Sequence, residues 1–431
     1  MESKAQVRKV MGVALGALFF ILQQTLCAGV AVSPLTHHID VKPGKTANFT
    51  ITLANNQRSQ VTIASPVKIE ILDFNVSDRG QLSFGSEYKH DRSAKGWITL
   101  DVNQVVLKPG ESKEIKGTIK APMDADGDYW ASAMVYVAQS NKDDKGIQVK
   151  LRTATGLFIR VARRTHTERG NISDIKILNP TFDVGPVKKE LSDSDLYTIN
   201  EKQSLKIEVK LQNQGLIAIP AKGKTFIYDG KMKKIATIPL YASRNNVLPG
   251  DNRWFTGLMS QPLPAGQYKV RTVFSSEKSR SQIIKDAELE ISDDLASTWA
   301  KNVGNDNNIT KLTFDPAKVD LKLNPGRSTS ANFQIKNQGL NTIAANCKIP
   351  KSQNDWLQLK SEDFTLAPNS STSLQCMIKV PADALPGAYN WTVQIVMEQS
   401  GLENQTKTQA VQYTVPISVV IDENAKVVSK N

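Results

Sequence analysis

The chain has 431 residues, 40% hydrophobic and 22% charged, a balance that supports packed cores and excludes an intrinsically disordered chain. Its length is too great for one core and suits about three domains of roughly 100 to 150 residues each. Fifty-four Lys and Arg against 42 Asp and Glu give a formal charge of +12 at pH 7, but the excess is spread along the chain and no domain is strongly polarised, which argues against a nucleic-acid partner.

At the N-terminus, Lys4, Arg8 and Lys9 precede the apolar run Val10 to Leu22. That run is short for a bilayer span and fits the hydrophobic region of a secretory leader. Residues 1–31 are therefore expected to be a cleaved signal peptide, with cutting after Ala28 or Ala31, and the protein to be exported. Cys27 follows Leu26 and has Gln24 three back, which is a poor lipidation signal. No later apolar stretch has transmembrane length, so no transmembrane segment is expected in the mature chain.

Residues 32–164 read as a first sandwich. Ala47, Phe49, Ile51 and Leu53 alternate with polar residues, the period of a strand with one buried face. Adjacent His37 and His38 on one strand point to opposite faces, so they do not form a metal pair. In Asp124-Ala125-Asp126-Gly127-Asp128 the carboxylates surround a glycine, but their spacing is not that of an EF-hand, and a solvated turn is the expected reading over a calcium loop. Arg160, Arg163 and Arg164 form one basic cluster.

Residues 171–292 read as a divergent second sandwich. It holds the alternating run Leu205, Ile207, Val209, Leu211, then Asn213-Gln214-Gly215-Leu216, a Lys222 to Lys234 basic cluster, Leu248-Pro249-Gly250, and Pro264 ahead of Gly266-Gln267-Tyr268. Residues 293–309 read as a linker with a short helix around Leu295 to Ala300.

Residues 310–422 repeat the first sandwich. Trp97, Pro109 and Pro122 recur at identical intervals as Trp356, Pro368 and Pro381, each set followed by a Gly-x-Tyr corner, Gly127-x-Tyr129 and Gly387-x-Tyr389, and Asn213-Gln214-Gly215-Leu216 recurs as Asn337-Gln338-Gly339-Leu340. A duplicated structural unit produces such spacing automatically. Pro with Gly or Asn sets tight turns, the Gly-x-Tyr corner ties down a loop, and Trp97 and Trp356 are expected to be buried between sheets. With the leader removed, two cysteines remain. Cys347 and Cys376 each lie in an alternating run facing the core, and in an oxidising compartment a structural disulfide is expected, two buried free thiols being the alternative.

The whole reads as an all-β chain: three tandem immunoglobulin-like antiparallel β-sandwiches after a cleaved signal peptide. None of the four histidines, at 37, 38, 90 and 166, sits in a catalytic or metal motif. The protein is therefore expected not to be an enzyme, with no catalytic residue, cofactor or metal.

Val32-Ser33-Pro34, Val41-Lys42-Pro43-Gly44-Lys45, the strand from Phe49 to Asn56 and the stretch Pro122 to Val137 resemble exported bacterial proteins with pilus-chaperone-like immunoglobulin domains. The first two domains, through Asn213 to Tyr228 and Leu248-Pro249-Gly250, are also similar to the WxL-interacting surface proteins. The resemblance implies a periplasmic or cell-surface protein of a bacterium. Its expected role is to bind other exported or surface proteins, such as fibre subunits, through sheet edges or loops, as a chaperone-like or accessory factor in assembly of a surface fibre or complex. The alternative is a cell-wall glycan or peptidoglycan binding module that uses exposed Trp130, Trp254 or Trp391 with the basic clusters. Partner binding is expected where the copies differ: the Asp124 to Asp128 loop, the Lys222 to Lys234 cluster, and the domain holding Cys347 and Cys376.

Overall fold

The computed structural model describes residues 30–56, 65–85, 87–88, 90–137, 151–182, 201–275, 282–303, 311–339, 341–350, 356–398, 401–402 and 412–421. The expected leader lies outside the described residues except for Val30 and Ala31, which already belong to a strand. The chain divides into two compact units, Met1–Asn75 with Ser83–His166, and Val76–Leu82 with Thr167–Asn431.

In the first unit the strands are β1 (Val30–Ser33), β2 (Thr36–Val41), β3 (Thr46–Asn55), β4 (Ser65–Val76), β5 (Leu82–Gly85), β6 (Ile98–Leu100), β7 (Gln104–Leu107), β8 (Ser112–Lys120), β9 (Gly127–Val137) and β10 (Leu151–Val161). One sheet runs β1-β3-β8-β6 and the facing sheet β2-β10-β9-β4-β5, with β7 also on β4. The period-two pattern of β3 buries Phe49, Ile51 and Leu53 against Ile115 and Ile119 of β8. Phe49 lies across Gly117, its register partner, where a Cβ would meet the ring at 2.1 Å; the position needs glycine because there is no room for a side chain.

The second unit continues with β11 (Gly170–Leu178), β12 (Leu205–Asn213), β13 (Ile219–Pro220), β14 (Lys222–Tyr228), β15 (Lys234–Leu240), β16 (Asn246–Val247), β17 (Asn252–Met259), β18 (Gly266–Ser275), β19 (Ile283–Ile291) and helix α1 (Asp293–Val303). It ends with β20 (Leu312–Asp315), β21 (Val319–Leu323), β22 (Ser328–Asn337), β23 (Ile343–Lys348), β24 (Leu357–Leu359), β25 (Asp363–Leu366), β26 (Ser371–Lys379), β27 (Gly387–Glu398), β28 (Gly401–Leu402) and β29 (Gln412–Ile421). The middle sandwich sets β11-β12-β17 against β19-β18-β14-β15-β28, with β13-β16 a separate short pair. The last sets β20-β22-β26-β24 against β21-β29-β27-β23-β25. This repeats the order of the first unit, with β25 in the place of β7 and no counterpart of β5. All three sandwiches are immunoglobulin-like, and the sheets are antiparallel apart from β2 on β10 and β21 on β29, where the first strand crosses from one sheet to run parallel to the last.

A buried asparagine ends one strand of each sandwich, β3, β12 and β22, and bonds main-chain groups of neighbouring segments. Asn55 donates to Leu107 O at 3.0 Å, and Asn213 to Ile217 O and Val247 O, both at 2.8 Å. Asn337 donates to Asn341 O at 2.9 Å and Leu366 O at 3.3 Å, while its Oδ1 accepts from Gly339 N–H at 2.9 Å. Each side chain satisfies main-chain groups that burial has removed from water. The Gly-x-Tyr corners also act as expected: the hydroxyls of Tyr268 and Tyr389 donate to Pro264 O at 2.6 Å and Leu385 O at 2.9 Å.

The stretch read as a linker carries α1, which packs into the middle sandwich. Ser292 caps it, accepting from Leu295 N–H at 3.2 Å, and Asp293 and Asp294 occupy the first turn, where negative charge suits the helix dipole. Leu295, Ala296 and Trp299 face inward, and Trp299 is 0% exposed with its indole N–H donating to Ser260 O at 3.0 Å. By contrast Trp97 and Trp356 are only partly buried, each leaning on the corner tyrosine at 4.4 and 4.3 Å between ring centroids. The expectation that they fill the space between sheets is corrected: aliphatic side chains do so, and these indoles close its rim.

Within the second unit the middle and last sandwiches are stitched together. Leu258 N–H donates to Thr342 Oγ1 at 3.0 Å, and Thr342 N–H returns a bond to Leu258 O at 3.2 Å. Asn341 Oδ1 accepts from both the N–H and the hydroxyl of Ser260, at 2.8 and 2.9 Å. Segment Val76–Leu82 is held in the same unit: Trp254 N–H donates to Asp78 O at 2.8 Å, its indole N–H to Asp78 Oδ2 at 3.1 Å, and Arg79 pairs with Glu208 at 2.9 Å.

Candidate functional site

The last strand of the first sandwich is only half covered. β10 pairs with β9 along its full length, from Leu151↔Val137 to Val161↔Gly127, but with β2 only from Gly156↔Thr36 onward. β1 does not extend that edge, because it pairs instead with β3, from Val30↔Asn55 to Ser33↔Thr52. Gly156 N–H donates to Leu35 O at 2.9 Å, which fixes the direction of its main-chain groups. Because alternate residues of a strand face alternate neighbours, the main-chain N–H and C=O of Arg152 and Ala154 point to the same side as those of Gly156, where no strand pairs with them among the described residues. Leu35, at the corner where the chain changes sheets, is 58% exposed. Arg152 also lines a groove of about 1210 Å³ together with Tyr136, Lys68, Glu70 and Lys95.

The last sandwich has the same half-covered edge with a different residue on it. β29 pairs with β27 from Gln412↔Val396 to Ile421↔Gly387, and with β21 only from Ile417↔Val319 onward. Counting back five residues from Val161 and from Ile421 sets Pro416 where the first copy has Gly156. Proline has no N–H, so the last copy lacks the donor that Gly156 gives to Leu35 O in the first, while Gln412 and Thr414 keep theirs; proline on an edge is a common protection against strand addition.

The features singled out in the sequence are mostly consumed within the fold. The acidic loop and the first basic cluster neutralise each other. Arg160 grips Asp128 with bonds of 2.6 and 2.8 Å, His166 Nε2 lies 2.6 Å from Asp126 Oδ1, and Arg163 N–H reaches the same oxygen at 3.3 Å. Burial alone would raise the Asp126 pKa, but the bonds from His166 and Arg163 hold it below its usual value. Among the described residues no group of three His, Cys, Asp or Glu is placed to hold a metal. His37 and His38 do face apart, His37 edge-on to Phe49 at 5.3 Å and His38 stacked on Phe158 at 5.5 Å. In the second basic cluster, Lys222 bonds Asp363 at 2.8 Å and Lys234 sits 5.6 Å over the Phe226 ring.

One expectation is corrected here, and a second, the disulfide, is not seen. Trp130, Trp254 and Trp391 are 4%, 9% and 8% exposed, so none is available as a platform for a sugar ring. Trp130 stacks on His90 at 4.4 Å, Trp391 lies against Trp356 at 5.3 Å, and Trp254 is ringed by Lys176, Arg79 and Lys210 at 4.7, 5.1 and 5.4 Å. Cys347 and Cys376 are both free, with no disulfide between them. Both face the core as the alternation implies, Cys347 from β23 and Cys376 from β26 in the opposite sheet, and burial pushes their thiols up to about 12 and about 11. This is the arrangement of two small core hydrophobes.

No family model matches the chain, and no curated protein does. Among solved structures it is similar to a class 5 fimbriae chaperone, CfaA, at 12% identity over 60% of this chain and 98% of that one, with a TM-score of 0.31. It is similar to the E. coli chaperone DraB at 13% identity over 61% and 98%, with a TM-score of 0.28. It is similar to the Pseudomonas aeruginosa CupB2 chaperone at 9% identity over 60% and 100%, with a TM-score of 0.29.

Proposed function

We propose that this protein is a non-enzymatic, exported factor of a bacterial envelope that holds another exported protein, a subunit of a surface fibre or complex, by adding that partner's strand to the open half of β10. The observation that carries the reading is the contrast between the two copies of one edge. In the first, Arg152 and Ala154 present main-chain donors and acceptors beside an exposed leucine; in the second, Gln412 and Thr414 keep the equivalent donors, but Pro416 replaces Gly156 and puts a rigid ring without an N–H at the inner end of the edge. Main-chain bonds along such an edge supply affinity, and the side chains that alternate above and below it supply specificity. The division into sandwiches at about 32–164, 171–292 and 310–422 belongs to the same proposal.

A photo-crosslinking amino acid at Ala154, expressed in the native host, is expected to yield one adduct that mass spectrometry identifies as an exported, strand-rich subunit. The same label at Thr414, the equivalent position in the last copy, is expected to yield none. Ala154→Pro removes an N–H that faces away from β9, and is expected to weaken capture about tenfold through loss of one edge hydrogen bond and the fit around it, with thermal stability unchanged. Equal adducts from both positions, or none from Ala154, would overturn the proposal.

A further inference from the structure

In the second unit a cleft of about 330 Å³ opens between the turn Tyr241–Asn245 of the middle sandwich and β25 and β26 of the last. Its volume is at the lower end of the range for small-molecule sites. The Asn341 and Thr342 bonds already described hold the two sandwiches together, so the cleft is preformed and its walls do not have to be assembled on binding.

Its lining holds no cation and is rich in groups that both donate and accept. Tyr241, Asn245, Thr365 and Ser373 line it, and none of their side chains has a hydrogen-bond partner among the described residues. One carboxylate, Asp363, is present. Its Oδ1 accepts from Asn346 Nδ2 at 2.6 Å and its Oδ2 from Lys222 Nζ at 2.8 Å. These bonds outweigh the effect of burial and keep the Asp363 pKa below its usual value, so it is an ionised acceptor whose charge Lys222 balances. Each oxygen retains a further lone pair. Phe364 adds an apolar wall.

An anion finds no unspent cation in such a lining, and a cation finds a carboxylate that is already paired. A neutral molecule dense in hydroxyl groups fits both counts, since each hydroxyl can give and receive one bond. We infer that this cleft is a binding site for a neutral saccharide of one or two rings, with Tyr241, Asn245, Thr365 and Ser373 bonding its hydroxyls, Asp363 accepting from one of them, and Phe364 against its carbon face. The site is independent of the β10 edge and lies in the other unit.

Saturation-transfer NMR on the full chain, with maltose, cellobiose and N,N′-diacetylchitobiose as probes at up to about 10 mM, tests this in the affinity range expected for a small shallow site. At least one probe is expected to receive saturation. Thr365→Val and Ser373→Ala, which remove hydroxyls at nearly constant shape, are each expected to weaken it about tenfold while leaving the melting temperature in place. Three outcomes would overturn the assignment: no transfer to any probe, transfer undiminished in both variants, or binding of an alternating apolar strand peptide that Thr365→Val abolishes.

Discussion

Asn337 makes three side-chain bonds in the core, so its replacement leaves two carbonyls and one N–H without partners. Asn337→Ala is expected to cost about 3 kcal/mol, read as a lower denaturant midpoint, because an orphaned buried polar group loses its full solvation. Asn55 and Asn213 do the same work, and the signal was present in the chain: Leu53-x-Asn55, Leu211-x-Asn213 and Ile335-x-Asn337 each close an alternating strand. The first of these was missed because Asn55 lacks the Gln-Gly that follows the other two. The cysteines give a second residue-scale test. With Cys27 replaced by serine, maleimide is expected to label neither Cys347 nor Cys376 in the native protein at pH 8, where buried thiols raised to about 12 and about 11 are protonated, and to label both in denaturant. Failure to label in denaturant would mean that a disulfide had formed.

At the scale of elements, strands were the most legible part. Alternation located β3 and β12 and gave the inward faces of Cys347 and Cys376, because a buried sheet face imposes its period directly on the sequence. Helix α1 was only half read. Its cap and first turn, Ser292-Asp293-Asp294, and the helical spacing of Leu295 and Trp299 were visible, but the surrounding Gly and Asn residues suggested a linker. Burial of the indole in the middle core is a tertiary fact. Trp299→Ala is expected to destabilise the second unit by about 3 to 5 kcal/mol in chemical denaturation, the usual range for emptying a buried aromatic site. Trp299→Phe, which loses the bond to Ser260 O but keeps most of the volume, is expected to cost clearly less.

At the scale of the molecule, the two units are expected to answer acid in opposite directions. In the first, burial lowers the pKa of His90, against the pull of Asp73 and Asp91, and of His37, where His38 adds to the effect. Folding therefore favours the neutral rings; the stability they allow is present above about pH 6.5, the unfolded value, and is lost as pH falls. In the second unit, burial raises Asp251 to about 6 against the opposing charge of Arg253. Folding there favours the protonated acid, so that contribution is present at low pH and is lost as pH rises through about 6. Denaturant midpoints followed unit by unit from pH 7 to pH 5 are expected to fall for the first unit and rise for the second, and Asp251→Asn is expected to remove the rise. Calorimetry is expected to show the middle and last sandwiches melting in one transition, which Ser260→Ala combined with Asn341→Ala separates into two.

The sequence by itself determined the strand content, the duplicated module and the faces of its core residues, since turn chemistry and a period of two are local properties that any buried sheet face must display. Only the tertiary structure decided what the conspicuous residues do. The Asp126 and Asp128 carboxylates meet Arg160 and His166 across the fold, three tryptophans that looked available are covered, and two half-bare edges differ by Gly156 against Pro416. Each of these depends on which segments the sheets bring side by side, and pairing between distant strands leaves no fixed spacing in the chain.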